Sequence, residues 1–156
     1  MNFIKKLFVF SSIGVLTLLM IGCGQKNIEG SLTDIMAKVY QDMDEEKFPM
    51  MLTNTEVTSK NVEYYLGSKD IEFKEALASE SSVGSIAYSV VLVRAKEGAD
   101  VEKVKKQIKE SVNPRKWICV GVEEENVIVE SKGDLIILIM SNELGSEIQK
   151  GFENLK

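Results

Sequence analysis

Leu135-Ile136-Ile137-Leu138-Ile139-Met140 is an unbroken apolar run, bounded by Gly133-Asp134 on one side and Ser141 on the other. Successive residues of a strand face opposite ways, so this run is apolar on both faces of any sheet it joins. A strand of that kind belongs in the middle of a sheet rather than at a solvated edge. Its surroundings fit. Residues 127–130 read as a second strand and residues 117–122 as a third. Ser131-Lys132-Gly133-Asp134 and Glu124-Glu125-Asn126 supply the turns, and links this short imply antiparallel neighbours.

Upstream, Tyr88-Ser89-Val90-Val91-Leu92-Val93 marks a strand over residues 86–95. Asp100 then caps a helix over residues 100–112, with Val101, Val104, Ile108 and Val112 as its buried stripe and Asn113-Pro114 as its stop. Residues 142–155 form the last helix, with Leu144, Ile148, Phe152 and Leu155 on one side and Gly145 and Gly151 weakening it. The order from residue 86 is β-α-β-β-β-α. That is an α+β arrangement, a mostly antiparallel sheet with helices on one face. An amphipathic helix over residues 31–43 precedes it and is expected on the same core. Its Leu32, Ile35, Met36, Val39, Tyr40 and Met43 share one side, Ser31 can cap it, and Pro49 blocks any continuation. Residues 58–66 read as a short helix capped by Thr58 and ended by Gly67. Residues 70–79 carry two signals: Ile71, Phe73 and Leu77 alternate as in a strand, whereas Glu75-Ala76-Leu77-Ala78 favours a helix. The strand is preferred.

The N-terminus has a different logic. Lys5 and Lys6 precede a charge-free stretch from Leu7 to Ile21, and Met20-Ile21-Gly22-Cys23 follows its apolar core. A basic segment, an apolar segment and a small residue at the cut make an export signal, and the apolar part is short for a membrane span. Met20-Ile21-Gly22-Cys23 resembles the lipobox of bacterial lipoproteins, in which cleavage between Gly22 and Cys23 leaves a diacylglyceryl-modified Cys23 as the first residue. Two acyl chains anchor a protein where one gives marginal binding. The expected organisation is a signal over residues 1–22, the lipidated Cys23 with a short polar link over residues 23–30, and one α+β domain over residues 31–156.

Two of the 19 Lys and Arg and none of the 24 Asp and Glu lie in residues 1–22, so residues 23–156 carry a net charge of −7. Nucleic acid and anionic lipid heads repel such a domain. With Cys23 lipidated, Cys119 has no intramolecular partner. The chain has no histidine, which excludes Ser-His and Cys-His nucleophile pairs and His-based metal centres.

The remaining polar clusters have ordinary readings. Asp42, Asp44 and Glu46 imitate the start of a calcium loop, but Lys47 and Thr53 stand where such a loop needs Gly and Glu. Cys119 reads as a buried strand residue. Glu123-Glu124-Glu125 reads as a solvated hairpin tip, and Lys103, Lys105, Lys106 and Lys109, mixed with Glu102 and Glu110, as a solvated helix face. Tyr65 belongs to the core, with Tyr64 at its edge. No catalytic, metal or cofactor-binding residue is expected.

The opening helix, Tyr64-Tyr65-Leu66-Gly67, the Ser89-Val90-Val91-Leu92-Val93 strand leading into Asp100-Val101-Glu102-Lys103-Val104, the Lys132-Gly133-Asp134-Leu135 hairpin and the last helix make one pattern over residues 31–152. In these features the chain resembles the short Gram-positive lipoproteins that carry domain of unknown function 4358. The resemblance implies an exported, lipid-anchored α+β domain and carries over no catalytic or binding residue. The expectation is a non-enzymatic binding or interaction module on the outer face of the cytoplasmic membrane, with an envelope protein as partner. The alternative is a carboxylate-dependent enzyme acting on envelope polymers. If Cys23 bears the anchor, the mature protein partitions into detergent with a lipid-sized mass increment, and Cys23→Ala loses both. Mass spectrometry of an unmodified, membrane-free mature chain with Cys23 intact would overturn this.

Overall fold

The computed structural model describes residues 27–156, so the predicted export signal, Gly22 and Cys23 lie outside the described residues. The elements are α1 (Leu32–Tyr40), β1 (Leu52–Glu56), α2 (Val62–Leu66), β2 (Glu75–Ser81), β3 (Tyr88–Arg94), α3 (Val101–Ser111), β4 (Val127–Lys132), β5 (Leu135–Ser141) and α4 (Gly145–Glu153). The strands pair in the order β1-β2-β3-β5-β4, every neighbour antiparallel. The α+β class expected from the sequence is the class observed. β3 and β4 run parallel with β5 between them, and α3 makes the crossover.

β5 is an interior strand, between β3 and β4, as its apolar run requires. Ile136, Leu138 and Met140 face a core built with α2 and α3, together with Val91 and Val93 of β3. Leu135, Ile137 and Ile139 face a second core built with α1 and α4, together with Val90 and Leu92. The expectation of helices on one face is therefore corrected: there is a helical layer on each. A strand apolar on both sides leaves one side in water unless both are covered, and covering a Leu- or Ile-sized side chain contributes roughly 1.5–3 kcal/mol.

The caps follow the sequence. Ser31 Oγ accepts from Asp34 N–H at 3.1 Å, and Asp100 Oδ1 accepts from Lys103 N–H at 3.1 Å. α2 starts at Val62 rather than at Thr58, whose carbonyl accepts from Asn61 and Val62 instead. Gly67 ends it at φ 88°, and a Cβ there would collide with the Ser111 carbonyl at the end of α3. Gly151 has a packing role in α4: a Cβ would strike the Val39 carbonyl of α1.

Two strand assignments change. Residues 117–122 form no strand. Trp117 and Val122 are buried, but between them the chain turns outward through Cys119 at φ 61°, and Val122 N–H returns to the Pro114 carbonyl at 2.8 Å. β1 was not expected at all; its Leu-Thr-Asn-Thr-Glu sequence has one large apolar residue, because an edge strand needs no second buried face.

The polar link also shortens. Ile28 is 3% exposed and belongs to the α1/α4 core. The Arg94 guanidinium, at the end of β3, donates to the Ile28 carbonyl at 2.9 Å and the Gly30 carbonyl at 3.0 Å. It also pairs with Glu75 at 2.8 Å and Asp134 at 3.3 Å. Residues 27–30, read from the sequence as link, are thus part of the domain. Among the described residues no helix is long and apolar enough to cross a membrane. Arg94→Leu strips two carbonyls of their donor and should lower stability by about 2–4 kcal/mol in urea titration. Amide exchange over residues 28–32 should rise well before the β5 amides are affected. Unchanged protection there would show that Arg94 does not hold this segment.

Candidate functional site

One end of the sheet receives the N-terminal segment: the end of β3, the β4–β5 hairpin and the start of β2. The opposite end is built from loops. β3 is seven residues long, which separates the two ends by about 20 Å.

At the loop end three segments are tied to one another by backbone. The Met50 carbonyl accepts from Ser81 Oγ at 2.8 Å, and the Met51 carbonyl accepts from Ser82 N–H at 3.1 Å. Ile118 N–H donates to the Gly84 carbonyl at 2.8 Å. Further along, Asn142 clamps residues 121–126: its amide donates to the Gly121 carbonyl at 3.1 Å, and its Oδ1 accepts from Glu123 N–H at 3.0 Å. Pro49, Ile86, Ala87 and Val120 line a pocket of about 420 Å³ among these loops, with Lys47 and Glu143 also in its wall.

This end carries the exposed apolar surface. Met50 is 69% exposed, Met51 66%, Ile118 69% and Val120 36%, with the half-exposed Tyr64 on the flank. It also holds the two non-glycine residues with left-handed backbone among the described residues, Met51 at φ 55° and Cys119 at φ 61°. Such conformations cost on the order of 1 kcal/mol or more and collect where a surface is used.

A buried ion pair lies under the 115–122 loop. Lys116 Nζ donates to Glu80 Oε2 at 2.8 Å, with side-chain exposures of 4% and 9%. The other oxygen of Glu80 accepts from Tyr64 Oη at 2.7 Å and from Trp117 Nε1 at 3.0 Å. The ammonium also sits 4.2 Å from the Tyr64 ring centre, 4.9 Å from Tyr65 and 5.1 Å from Trp117. Burial lowers the Lys116 pKa, with the charge and hydrogen bond of Glu80 acting against it. Burial raises the Tyr64 pKa, and Glu80 adds to the rise, so the phenol stays a donor. Lys116 also reaches Ser89 Oγ at 3.4 Å. This is no serine–lysine nucleophile pair: Ser89 has no exposure, and Glu80 occupies the ammonium that would have to act as a base. The cluster is a support, positioning Trp117 and the strained loop beyond it.

Other sequence candidates fall into place around this site. Cys119 is an exposed free thiol in the outward turn, which corrects the expectation of a buried strand residue. Asp44 caps the turn Glu45–Lys47, accepting from Glu46 N–H at 3.1 Å, and among the described residues no group of acidic, Cys or His side chains could hold a metal. Glu123, Glu124 and Glu125 are exposed but open a 3-10 turn into β4, not a hairpin tip. Lys109 closes the edge of β4 by donating to the Val127 carbonyl, and Lys105 pairs with Glu102 at 3.1 Å. Tyr65 packs on the α2/α3 core, with Tyr64 at its rim. The sequence reading missed Glu80 and the role of Lys116. The one signal for them is Lys116-Trp117, a charged residue directly ahead of the run read as a strand.

Lys116→Met leaves the Glu80 carboxylate buried and uncompensated, a loss of about 3–5 kcal/mol in urea titration. Glu80→Gln with Lys116→Met should recover much of it. Single variants within about 1 kcal/mol of the parent would show that the pair does not hold the loop.

The chain matches no protein-family model, no curated protein and no solved structure, so the geometry of this end carries the functional reading.

Proposed function

We propose that this protein is a lipid-anchored interaction module of the bacterial cell envelope, which presents its loop end to a protein partner. The observation that carries the reading is the distribution of exposed large apolar side chains. Met50, Met51, Ile118 and Val120, with Tyr64 beside them, gather at the end of the sheet opposite the N-terminal segment. Clustered exposed apolar surface over pre-formed loops is what a docking site has, whereas scattered single residues need no explanation.

The lipobox-like Met20-Ile21-Gly22-Cys23, behind its basic and apolar segments, supports the location. Cys23 precedes Asn27 by four residues, a reach of about 14 Å when extended. An anchor there holds the Arg94 end towards the bilayer and turns the apolar end outward. A non-enzymatic role is supported by the acids. Glu80 is the buried carboxylate among the described residues, and its two oxygens are taken by three donors. The acids beside the start of α3 are exposed; Asp100 caps the helix and Glu72 pairs with Lys96 at 3.2 Å.

A photo-crosslinking residue at Met51 or Ile118, introduced in growing cells, should give one discrete adduct with an envelope protein. The same residue at Glu97 or Lys150 should give none. Adducts of equal yield from all four positions, or none from Met51 and Ile118, would overturn the reading.

A further inference from the structure

We infer that the occupant of the loop end is a cationic amphipathic segment of another protein, an apolar face flanked by Lys or Arg. The inference rests on the docking role proposed above and adds the chemistry of the partner. Its ground is the charge around the apolar surface. Glu45 and Glu46 are exposed in the turn that leads into Pro49 and Met50. Glu123, Glu124 and Glu125 are exposed directly after Val122, on the strand side of the outward loop. Glu143 stands in the wall of the pocket that Pro49 and Val120 line. The two acidic runs that suggested calcium binding and mere solubility in the sequence thus border one apolar patch.

The nearby cations do not offset them. Lys47 is held by Glu147 at 2.8 Å, and Lys116 is buried on Glu80 at 2.8 Å. Two exposed cations remain, Arg115 and Lys109, whose ammonium sits on the Glu124 and Val127 carbonyls, against six acids: Glu45, Glu46, Glu123, Glu124, Glu125 and Glu143. An acidic rim around an apolar centre attracts a partner of opposite charge and disfavours like-charged ones. A second copy of this chain would bring acidic rim against acidic rim. Anionic lipid would meet the same repulsion. The pocket of about 420 Å³, walled by Ile86, Ala87 and Val120, has room for a bulky apolar side chain at the centre of such a segment.

The test uses the full mature chain in zwitterionic phosphatidylcholine nanodiscs, with methyl-labelled Met and Ile observed by NMR. Two probes are titrated: a short Leu/Lys amphipathic peptide and its Leu/Glu counterpart with identical apolar positions. The Leu/Lys peptide should shift the Met50, Met51 and Ile118 methyls and bind about tenfold or more tightly than the Leu/Glu peptide at low salt. The preference should shrink as salt rises to about 0.5 M. Glu123→Gln, Glu124→Gln and Glu125→Gln together lie on an exposed turn, so they should leave the melting temperature alone and reduce the preference. Equal affinity for both peptides at these methyls overturns the cationic partner but leaves the docking surface standing. Shifts by neither peptide overturn the inference, and the crosslinking in cells then decides independently whether the loop end docks anything.

Discussion

Every residue of β3 and β5 is buried, and their ladder runs without a break from Tyr88↔Ser141 to Arg94↔Leu135. Two such strands side by side present apolar surface above and below, and no two-layer arrangement covers both. The rest of the fold answers that demand. α3 crosses one face in joining β3 to β4, α4 returns over the other, and α1 and α2 complete the two layers. The close approaches follow from it: α4 meets α1 at Gly151, and α2 meets α3 at Gly67, where a methyl group would not fit.

That constraint was legible in the sequence, and so were the features local to the chain. Leu135-Ile136-Ile137-Leu138-Ile139-Met140 marks its own strand, and its two-sided pattern already implied the second helical layer that the one-faced expectation passed over. Ser31 and Asp100 mark their helix starts because a cap is a contact within a few residues. Elements defined by distant partners were not legible. β1 owes its place to the β2 register, not to any pattern in its own residues. Trp117 to Val122 has strand composition, but a single buried carboxylate from β2 captures Lys116 and Trp117 and leaves the following residues to turn outward. Nothing near position 116 announces Glu80. The exposure of Met50, Met51, Ile118 and Cys119 was hidden for the same reason: sequence patterns assign apolar residues to the interior.

The loop end joins a costly feature to a stabilising one. Left-handed backbone at Met51 and Cys119 persists only where neighbouring contacts over-determine it. Those contacts are specific here: Ser81 and Ser82 hold Met50 and Met51, Gly84 holds Ile118, and Asn142 holds the chain after Gly121. Beneath them the Glu80–Lys116 pair replaces what a hydrophobic contact would supply. It brings directionality through the carboxylate, whose one oxygen takes Lys116 while the other takes Tyr64 and Trp117, and that fixes where the loop emerges. The apolar surface is therefore displayed on a pre-organised frame, so the proposed occupant would meet little ordering cost.

The Arg94 clamp has a mechanical consequence. Tension on the chain ahead of Asn27 would reach the domain at residues 27–30, which are fastened to the end of β3 and to the β4–β5 hairpin. The pull is thus delivered to β3, to the turn that joins β4 and β5, and through Glu75 to β2, and not to the β1 edge. A force applied to a margin opens a sheet one hydrogen bond at a time, like a zip. A force fed into the middle, along strands locked on both flanks, must shear many bonds together.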